Sequence, residues 1–308
     1  MGKVEVGRRI IETSRENKVL FDEEGFTKSD LIQYYKGIAK TLLHHARGRP
    51  VSMHRFPDGL KGEGFYQKKV PDYFPAWIET TPVPLQNGGR QNQVVLTSPA
   101  TLVYLADQAC ITPHVWLSRK GNLKKPDLLV FDLDPPDGSF DPVRKAAKRI
   151  RDALEEVGLS SYVQTTGSRG VHVVTPLKAS EPFSVVHGFA ADLAALLARR
   201  HPNDLTIKQR RDERKNRIFL DYLRNSYAQT VVPAYGVRAR AGAPVATPLQ
   251  WSELDDPSLG PRSYTIKNVF RRLGTIEDPW KDIWRHKRSL EHPRERLTRL
   301  MEKNAAPD

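Results

Sequence analysis

In "DPVRKAAKRIRDALEEVG" the apolar residues Val143, Ala147, Ile150, Leu154 and Val157 recur at the three-and-four spacing that lays one stripe along a helix. Asp141 reads as its cap, Pro142 as its first residue and Gly158 as its stop. The same pattern predicts a helix in "EGFTKSDLIQYYKGIAKTLLHHARG". There Thr27 and Asp30 make a capping-box-like start, and Gly48 follows the end. "SPATLVYLADQAC" predicts another, capped by Ser98 with Pro99 at its first position, and its apolar pattern places Cys110 as a small core residue. "SVVHGFAADLAALLARR" is a further helix. The charged tail from "DPWKDIWRHKRSLEHPRERL" onward is expected to be helical and packed through Trp280 and Trp284.

Short apolar runs bounded by turn residues predict strands between these helices. "RPVSMHRFPDGLKGEGFYQKK" reads as two strands around a Pro-Asp-Gly turn. "HVWLSRK", "DLLVFDLD" and "RIFLDYL" are strand-like, and "SYVQTTGSRGVHVVTPL" reads as strand, Gly-rich turn, strand. From "DLLVFDLD" onward the order is strand, helix, strand-turn-strand, helix, strand. That order predicts an α/β or α+β domain with helices packed on a mixed sheet.

Composition changes this picture in two ways. Lys plus Arg number 49 against 36 Asp plus Glu, a net charge of +13 with a pI near 9.8. The basic residues are dispersed through the chain, so the folded body itself is expected to meet a polyanion, most commonly nucleic acid. The single cysteine excludes an internal disulfide. No apolar stretch approaches the roughly 20 residues of a membrane span. The start lacks the apolar core of a secretory signal. The expectation is an intracellular, soluble protein with no membrane partner.

Candidate chemistry centres on "VFDLDPP". Side chains two apart on a strand share a face, so Asp132 and Asp134 stand about 6–7 Å apart at the backbone. They can converge on one cation or on two roughly 4 Å apart. The two prolines cannot continue a ladder and leave the carboxylates at the strand's exit. Asp221, beside apolar Phe219 and Leu220, is a further carboxylate that is costly unless paired or metal-bound. The alternative there is a salt bridge to Arg217 or Arg224. "TGSRGVH" puts Ser168, Gly-rich backbone amides and His172 at one hairpin, and such turns can cradle phosphate. "YGVRARAG" reads as a strand placing Arg238 and Arg240 on one face, a spacing that suits a triphosphate. Together these features describe a nucleotidyl-transfer site of three aspartates, two divalent ions and a cationic grip on the triphosphate. A manganese-dependent D-x-D glycosyltransferase would explain Asp132 and Asp134 but neither the third aspartate, the hairpin nor the charge. A nuclease would need no triphosphate grip. A non-catalytic DNA-end-binding module would need no intact trio.

"FDLDPP", "GSRGVH" and "FLDY", in this order, resemble the three motifs of the archaeo-eukaryotic primase superfamily. The chain is similar in particular to the polymerase domain of bacterial and archaeal DNA ligase D, an end-joining repair enzyme. The similarity extends to "NKVLF", "TKSDLIQYY", "RFPDG", "GFYQK", "LDYLRN" and "YGVRARAGAPVATPL". It implies an α+β fold of mixed and antiparallel sheets flanked by helices. It also implies one domain over residues 1–308: a helical N-terminal region (1–50) contacting the DNA 5′-phosphate, a catalytic core (51–250) and a helical C-terminal region (251–308). No ligase or nuclease domain follows, so a stand-alone polymerase or one excised domain is expected.

The residue roles implied by the resemblance are these. Asp132, Asp134 and Asp221 are catalytic and hold two Mn²⁺ or Mg²⁺ ions. Ser168, Arg169, Gly170 and His172 hold the incoming nucleotide's phosphates, with His114 at the triphosphate or sugar. Arg224, Arg238 and Arg240 add phosphate contacts. Phe65 or Tyr66 stacks on the base. Lys18 and Lys28 grip a downstream 5′-phosphate, aided at Lys28 by exposed amides at a helix N-terminus. The implied activity is template-directed nucleotide addition with ribonucleotide preference, during gap filling or end extension in non-homologous end joining. The implied partners are gapped or broken DNA, nucleoside triphosphates, Ku and a DNA ligase, at the nucleoid in the cytoplasm.

Overall fold

The computed structural model describes residues 2–85, 88–136 and 138–304. Backbone contacts divide the chain into two compact units. The first takes Met1–Leu123, Thr230–Thr247 and Arg262–Asp278; the second takes Lys124–Gln229, Pro248–Pro261 and Pro279–Asp308.

The first unit is built on a four-stranded antiparallel sheet ordered Thr230–Val231, Cys110–Trp116, Val51–Arg55, Phe65–Gln67. The helix Lys28–Ala46 begins at the expected capping box, with Thr27 accepting from the Asp30 amide and Asp30 answering the Thr27 amide. Its buried face includes Leu31, Tyr35, Ile38 and Leu42. The Tyr35 hydroxyl donates to the Ile111 carbonyl at 2.7 Å, which ties the helix to the sheet. A second helix, Pro99–Asp107, starts at the Ser98 cap.

Three local expectations change here. Residues expected to be helical before Lys28 instead form strands Gly2–Val6, Arg9–Thr13, Val19–Phe21 and Phe26–Thr27. Val4, Val6, Ile11 and Thr13 alternate inward, the period of two that a hairpin requires. Cys110 is buried as expected but opens a strand, because the helix stops at Asp107 and Ala109 turns the chain with φ of 54°. Arg238 and Arg240 sit in a turn, with the Arg240 amide on the Arg238 carbonyl, so they share no strand face.

The second unit carries an antiparallel sheet ordered Leu128–Leu133, Val171–Pro176, Tyr162–Thr165, Pro248–Leu249. Leu205–Thr206 and Ile218–Phe219 pair in parallel. The helix Asp141–Glu156 buries Val143, Ala147, Ile150 and Leu154, the predicted stripe. Its cap position is Phe140, however, and Asp141 lies in the first turn, where its charge meets the helix dipole and Arg144. Helices Phe183–Arg200 and Glu291–Lys303 complete the unit. Trp280 is buried and donates to the Val163 carbonyl at 3.2 Å, while Trp284 is half-buried. The class is α+β, with antiparallel sheets and flanking helices. No described helix is long and apolar enough to cross a membrane.

Candidate active site

The three aspartates gather in the second unit. Asp132 lies near the end of strand Leu128–Leu133, directly across from His172. On its other side the Asp132 amide donates to the Asp221 carbonyl at 3.0 Å, an isolated antiparallel bridge. Two carboxylates distant in sequence are thereby fixed on adjacent backbone. Asp134 follows the strand, and Pro135 and Pro136 end the pairing as expected.

Each carboxylate has a distinct setting. The Leu223 amide donates to Asp221 Oδ1 at 2.9 Å. Burial, and then the Asp132 carboxylate, push Asp221 above the ordinary carboxylate range. Asp132 Oδ1 lies 3.5 Å from His172 Nε2, and its Oδ2 lies 3.5 Å from Arg224 Nε. Arg224 was one suggested partner of Asp221; its closest carboxylate contact is Asp132. The Gln164 amide nitrogen sits 3.2 Å from His172 Nδ1. His172 is buried, with its Nε2 turned toward the Asp132 carboxylate. Asp134 pairs with Arg169 at 2.7 Å.

The Gly-rich hairpin is shaped by close approach. A Cβ on Gly170 would stand 1.7 Å from the Leu133 carbonyl oxygen, so only glycine lets the turn lie on the end of strand Leu128–Leu133. The Ser168 and Gly170 amides both donate to Thr166 Oγ1, at 3.2 and 3.3 Å. These two amides therefore fold inward, and the hairpin presents Arg169 instead of a cradle made from them. Asp132, Asp134 and Asp221 line one pocket of about 310 Å³ together with Arg169, Arg224, Arg211, Arg214 and Arg217. Of the last three, Arg211 and Arg214 were missed from sequence, and Arg217 was named only as an alternative partner of Asp221. They belong to the charge run "KQRRDERKNR", which reads as solvated surface until the fold brings it to the carboxylates.

Among the described residues, no three His, Cys, Asp or Glu side chains are gathered closely enough to hold a metal ion. Asp134 is turned to Arg169, and Asp132 to Arg224 and His172. The donor set nevertheless fits a divalent cation. Burial and then like-charge repulsion raise Asp221, and both are penalties that such a cation would offset.

The first unit holds the remaining candidates in two places. His54 and Tyr66 face each other across neighbouring strands, their rings stacked at 4.1 Å and 5°. His114 lies 5.5 Å from Tyr66 and 6.0 Å from His54. Burial, then Arg238 and Arg240, lower His54 from 6.5 to about 4. This uncharged histidine had no signal beyond its position one residue before "RFPDG". Phe65 lies on the opposite face from Tyr66, against Arg55. The alternative between Phe65 and Tyr66 thus becomes two aromatics on two faces.

Lys18 and Lys28 adjoin through the Lys28 amide, which donates to the Lys18 carbonyl at 2.8 Å. Lys18 is about one-quarter exposed, pairs with Asp58 at 2.6 Å and lines a pocket with Arg15. Lys28 departs from expectation. Its ammonium is buried, 2.9 Å from Asp107 Oδ1 and near Ser14 Oγ. The first amides of its helix are also satisfied, by Lys18, Glu16 and Thr27. Neither the charge nor the amides stand open to a phosphate.

A family model described as LigD, primase-polymerase domain, matches residues 27–280. The chain is 33% identical over 259 residues to the multifunctional non-homologous end joining DNA repair protein LigD of Mycobacterium tuberculosis, a match covering 80% of this chain and 34% of that protein. It is 28% identical over 272 residues to the bifunctional non-homologous end joining protein LigD of Bacillus subtilis, covering 88% and 43%. The chain thus spans less than half the length of these relatives. Among solved structures it is similar to the polymerase domain of Mycobacterium tuberculosis ligase D in complex with DNA. The TM-score is 0.84 at 30% identity, covering 90% of this chain and 99% of that one.

Proposed function

The chain belongs to the LigD primase-polymerase domain family, and on that premise we propose that it extends DNA 3′ ends as a template-directed nucleotidyltransferase in end-joining repair. The observation that carries this reading is the backbone bridge between Asp132 and Asp221, in a pocket shared with Asp134 and rimmed by arginine. Gapped or broken duplex DNA and nucleoside triphosphates are the proposed substrates, with ribonucleotides preferred. Ku and a DNA ligase are the proposed partners, at the nucleoid.

Asp132, Asp134 and Asp221 would hold divalent Mn²⁺ or Mg²⁺. Such ions supply a lowered pKa to an attacking 3′-hydroxyl and positive charge to a leaving pyrophosphate. His172, fixed by Gln164, holds the Asp132 carboxylate in one orientation. The Leu223 amide does the same for Asp221. Arg169 is half exposed and held, among the described residues, by Asp134 alone, and its guanidinium would suit a triphosphate oxygen at the same pocket. Arg224, at the rim, adds charge to the same anion. In the first unit, Arg238 and Arg240 offer further phosphate contacts, with Tyr66 and His114 suited to base and sugar. Lys18 offers the 5′-phosphate contact.

The test is primer extension with labelled nucleotides on a one-nucleotide gap, wild type beside Asp132→Ala. Lengthening by wild type alone supports the reading; no lengthening with either metal overturns it. Competition between ribo- and deoxyribonucleotides in the same reaction decides the sugar preference, and equal use removes it.

A further inference from the structure

Strand Leu128–Leu133 is the outermost strand of its sheet, so alternate backbone groups on it face away from the ladder. Those groups include the amides of Val130 and Asp132, and both are nevertheless engaged. The Asp132 amide reaches the Asp221 carbonyl across the bridge described above. The Val130 amide donates to Asn225 Oδ1 at 2.8 Å, and Asn225 Nδ2 donates back to the Val130 carbonyl at 2.7 Å. Asn225 is wholly buried, at 0% exposure. A side-chain amide carries the same donor and acceptor pair as a peptide group, so Asn225 stands in for one residue of a missing neighbour strand. An ionised aspartate there would only accept, and a leucine would do neither.

The same nitrogen also donates to the Tyr222 carbonyl at 2.8 Å, which the Asn225 backbone amide meets at 3.1 Å. These bonds close the tight turn Leu223–Asn225. That turn aims the Leu223 amide at Asp221 Oδ1, and it carries Arg224 to within 3.5 Å of Asp132 Oδ2. One buried side chain thus grips the strand two residues before Asp132 and the turn that follows Asp221. Without it, the Val130 amide and carbonyl would lose their partners in a dry interior, which is costly. The Asp132–Asp221 bridge would then have to hold its place without the neighbouring pair of bonds.

We propose that Asn225 is a positioning residue for the metal site, locking the Asp221 turn onto the Asp132 strand so that the two carboxylates face one cation. This rests on the polymerase reading and assigns, within it, the group that sets the spacing of two metal ligands drawn from distant segments. Asn225 is buried and acts through the backbone, touching neither DNA nor nucleotide. Outer partners that orient metal ligands are typically worth about 10- to 100-fold in metal affinity.

Manganese alone is the probe. The free ion gives a sharp electron paramagnetic resonance signal that fades on binding, so titrating the full chain without DNA or nucleotide reports affinity apart from activity. Asn225→Ala should bind manganese about 10- to 100-fold more weakly than wild type, with Asp132→Ala marking the level without the site. In metal-free Asn225→Ala, the Val130 and Asp132 amides should exchange with deuterium faster relative to Val173 on the neighbouring strand. Ile150→Val, which thins the buried stripe of helix Asp141–Glu156, is the destabilised control and should keep the wild-type manganese affinity. Near-ultraviolet circular dichroism reports folding. If Asn225→Ala does not fold, Asn225→Gln serves, because it keeps the amide but carries it one methylene too far, and it should show the same weakening. Wild-type manganese affinity in a folded Asn225 variant overturns the positioning role. So does an equal loss in Ile150→Val, which would mean general loosening of the unit. A wild type that binds manganese through Asp132 yet extends no primer overturns the polymerase reading and leaves the positioning role standing, which separates the two failures.

Discussion

Replacing Gly170 with alanine should disable extension while leaving a folded protein. The added Cβ would lie 1.7 Å from the Leu133 oxygen, 2.8 Å from the Leu133 carbonyl carbon and 3.1 Å from the Asp134 Cα. All three obstacles are backbone, so no side chain can turn aside. Ordinary contact begins near 3.4 Å, so the hairpin must retreat by 3.4 − 1.7 = 1.7 Å. That movement separates Arg169 from Asp134 and loosens the register between Val171 and Leu133. Misplacement by about 1 Å can cost on the order of 100-fold in rate, so extension should fall at least that far. Overpacking of this kind costs about 1–3 kcal/mol, less than the typical 5–15 kcal/mol stability of a domain. Single-turnover extension on a gapped duplex measures the first effect, and urea denaturation with near-ultraviolet circular dichroism measures the second. Gly188→Ala is the matched control, since a Cβ there meets nothing within 4 Å and the position is helical. A Gly170→Ala enzyme extending at nearly the wild-type rate would show that the hairpin does not position the site.

Asp132→Ala and Asp134→Ala should each abolish extension in manganese or magnesium while DNA affinity by titration stays nearly constant; a variant keeping most of its rate would refute the assigned ligands. Lys28→Ala should lower stability in urea by about 3–5 kcal/mol, because it leaves the buried Asp107 carboxylate without its counter-ion, and adding Asp107→Asn should recover part of the loss. Lys18→Ala should instead weaken binding to gapped DNA with a 5′-phosphate by about 1–3 kcal/mol and hardly affect the 5′-hydroxyl form, both titrated at one salt concentration; equal losses would mean general backbone contact. His54 is held near 4, below its ordinary 6.5, so it contributes stability above pH 6.5 that is lost as pH falls through 4. A triphosphate beside Arg238 and Arg240 should raise that value, so nucleotide affinity should grow as pH falls toward 5, with proton uptake by calorimetry that His54→Phe abolishes.

Local signals carried much of the fold. The Thr27 capping box, the stripe from Val143 to Leu154 and the proline stop after Asp134 each depend on neighbours within a turn or a strand, so the chain shows them directly. The hairpin around Gly170 was also legible, yet its inward amides were not, because Thr166 Oγ1 is an equally near acceptor. What escaped depends on distant partners. Nothing near Lys28 announces Asp107, and nothing in a run of arginines announces that Arg211 and Arg214 line the aspartate pocket. The turn at Arg238 is fixed by the Pro244 carbonyl, a partner that period-two reading does not register. At the start of the chain, the alternation of Val4, Val6 and Ile11 was present but crossed a glycine turn.

The first unit is assembled from three separate stretches of chain. Its central sheet takes an outer strand, Thr230–Val231, from the second stretch, and the Tyr34 hydroxyl finds its carbonyl partner on Tyr235 there. The third stretch brings Asp278, which joins His45 to the Tyr235 hydroxyl. A ribosome making this protein must therefore release the chain through Asp278 before the first unit can close, and until Thr230–Val231 emerges the Cys110–Trp116 edge waits unpaired. That open edge is exposed to other nascent chains on the same message. Slow or interrupted translation after Leu123 should yield aggregate rather than a half-protein, and the gene should resist being split there into two separately folding fragments.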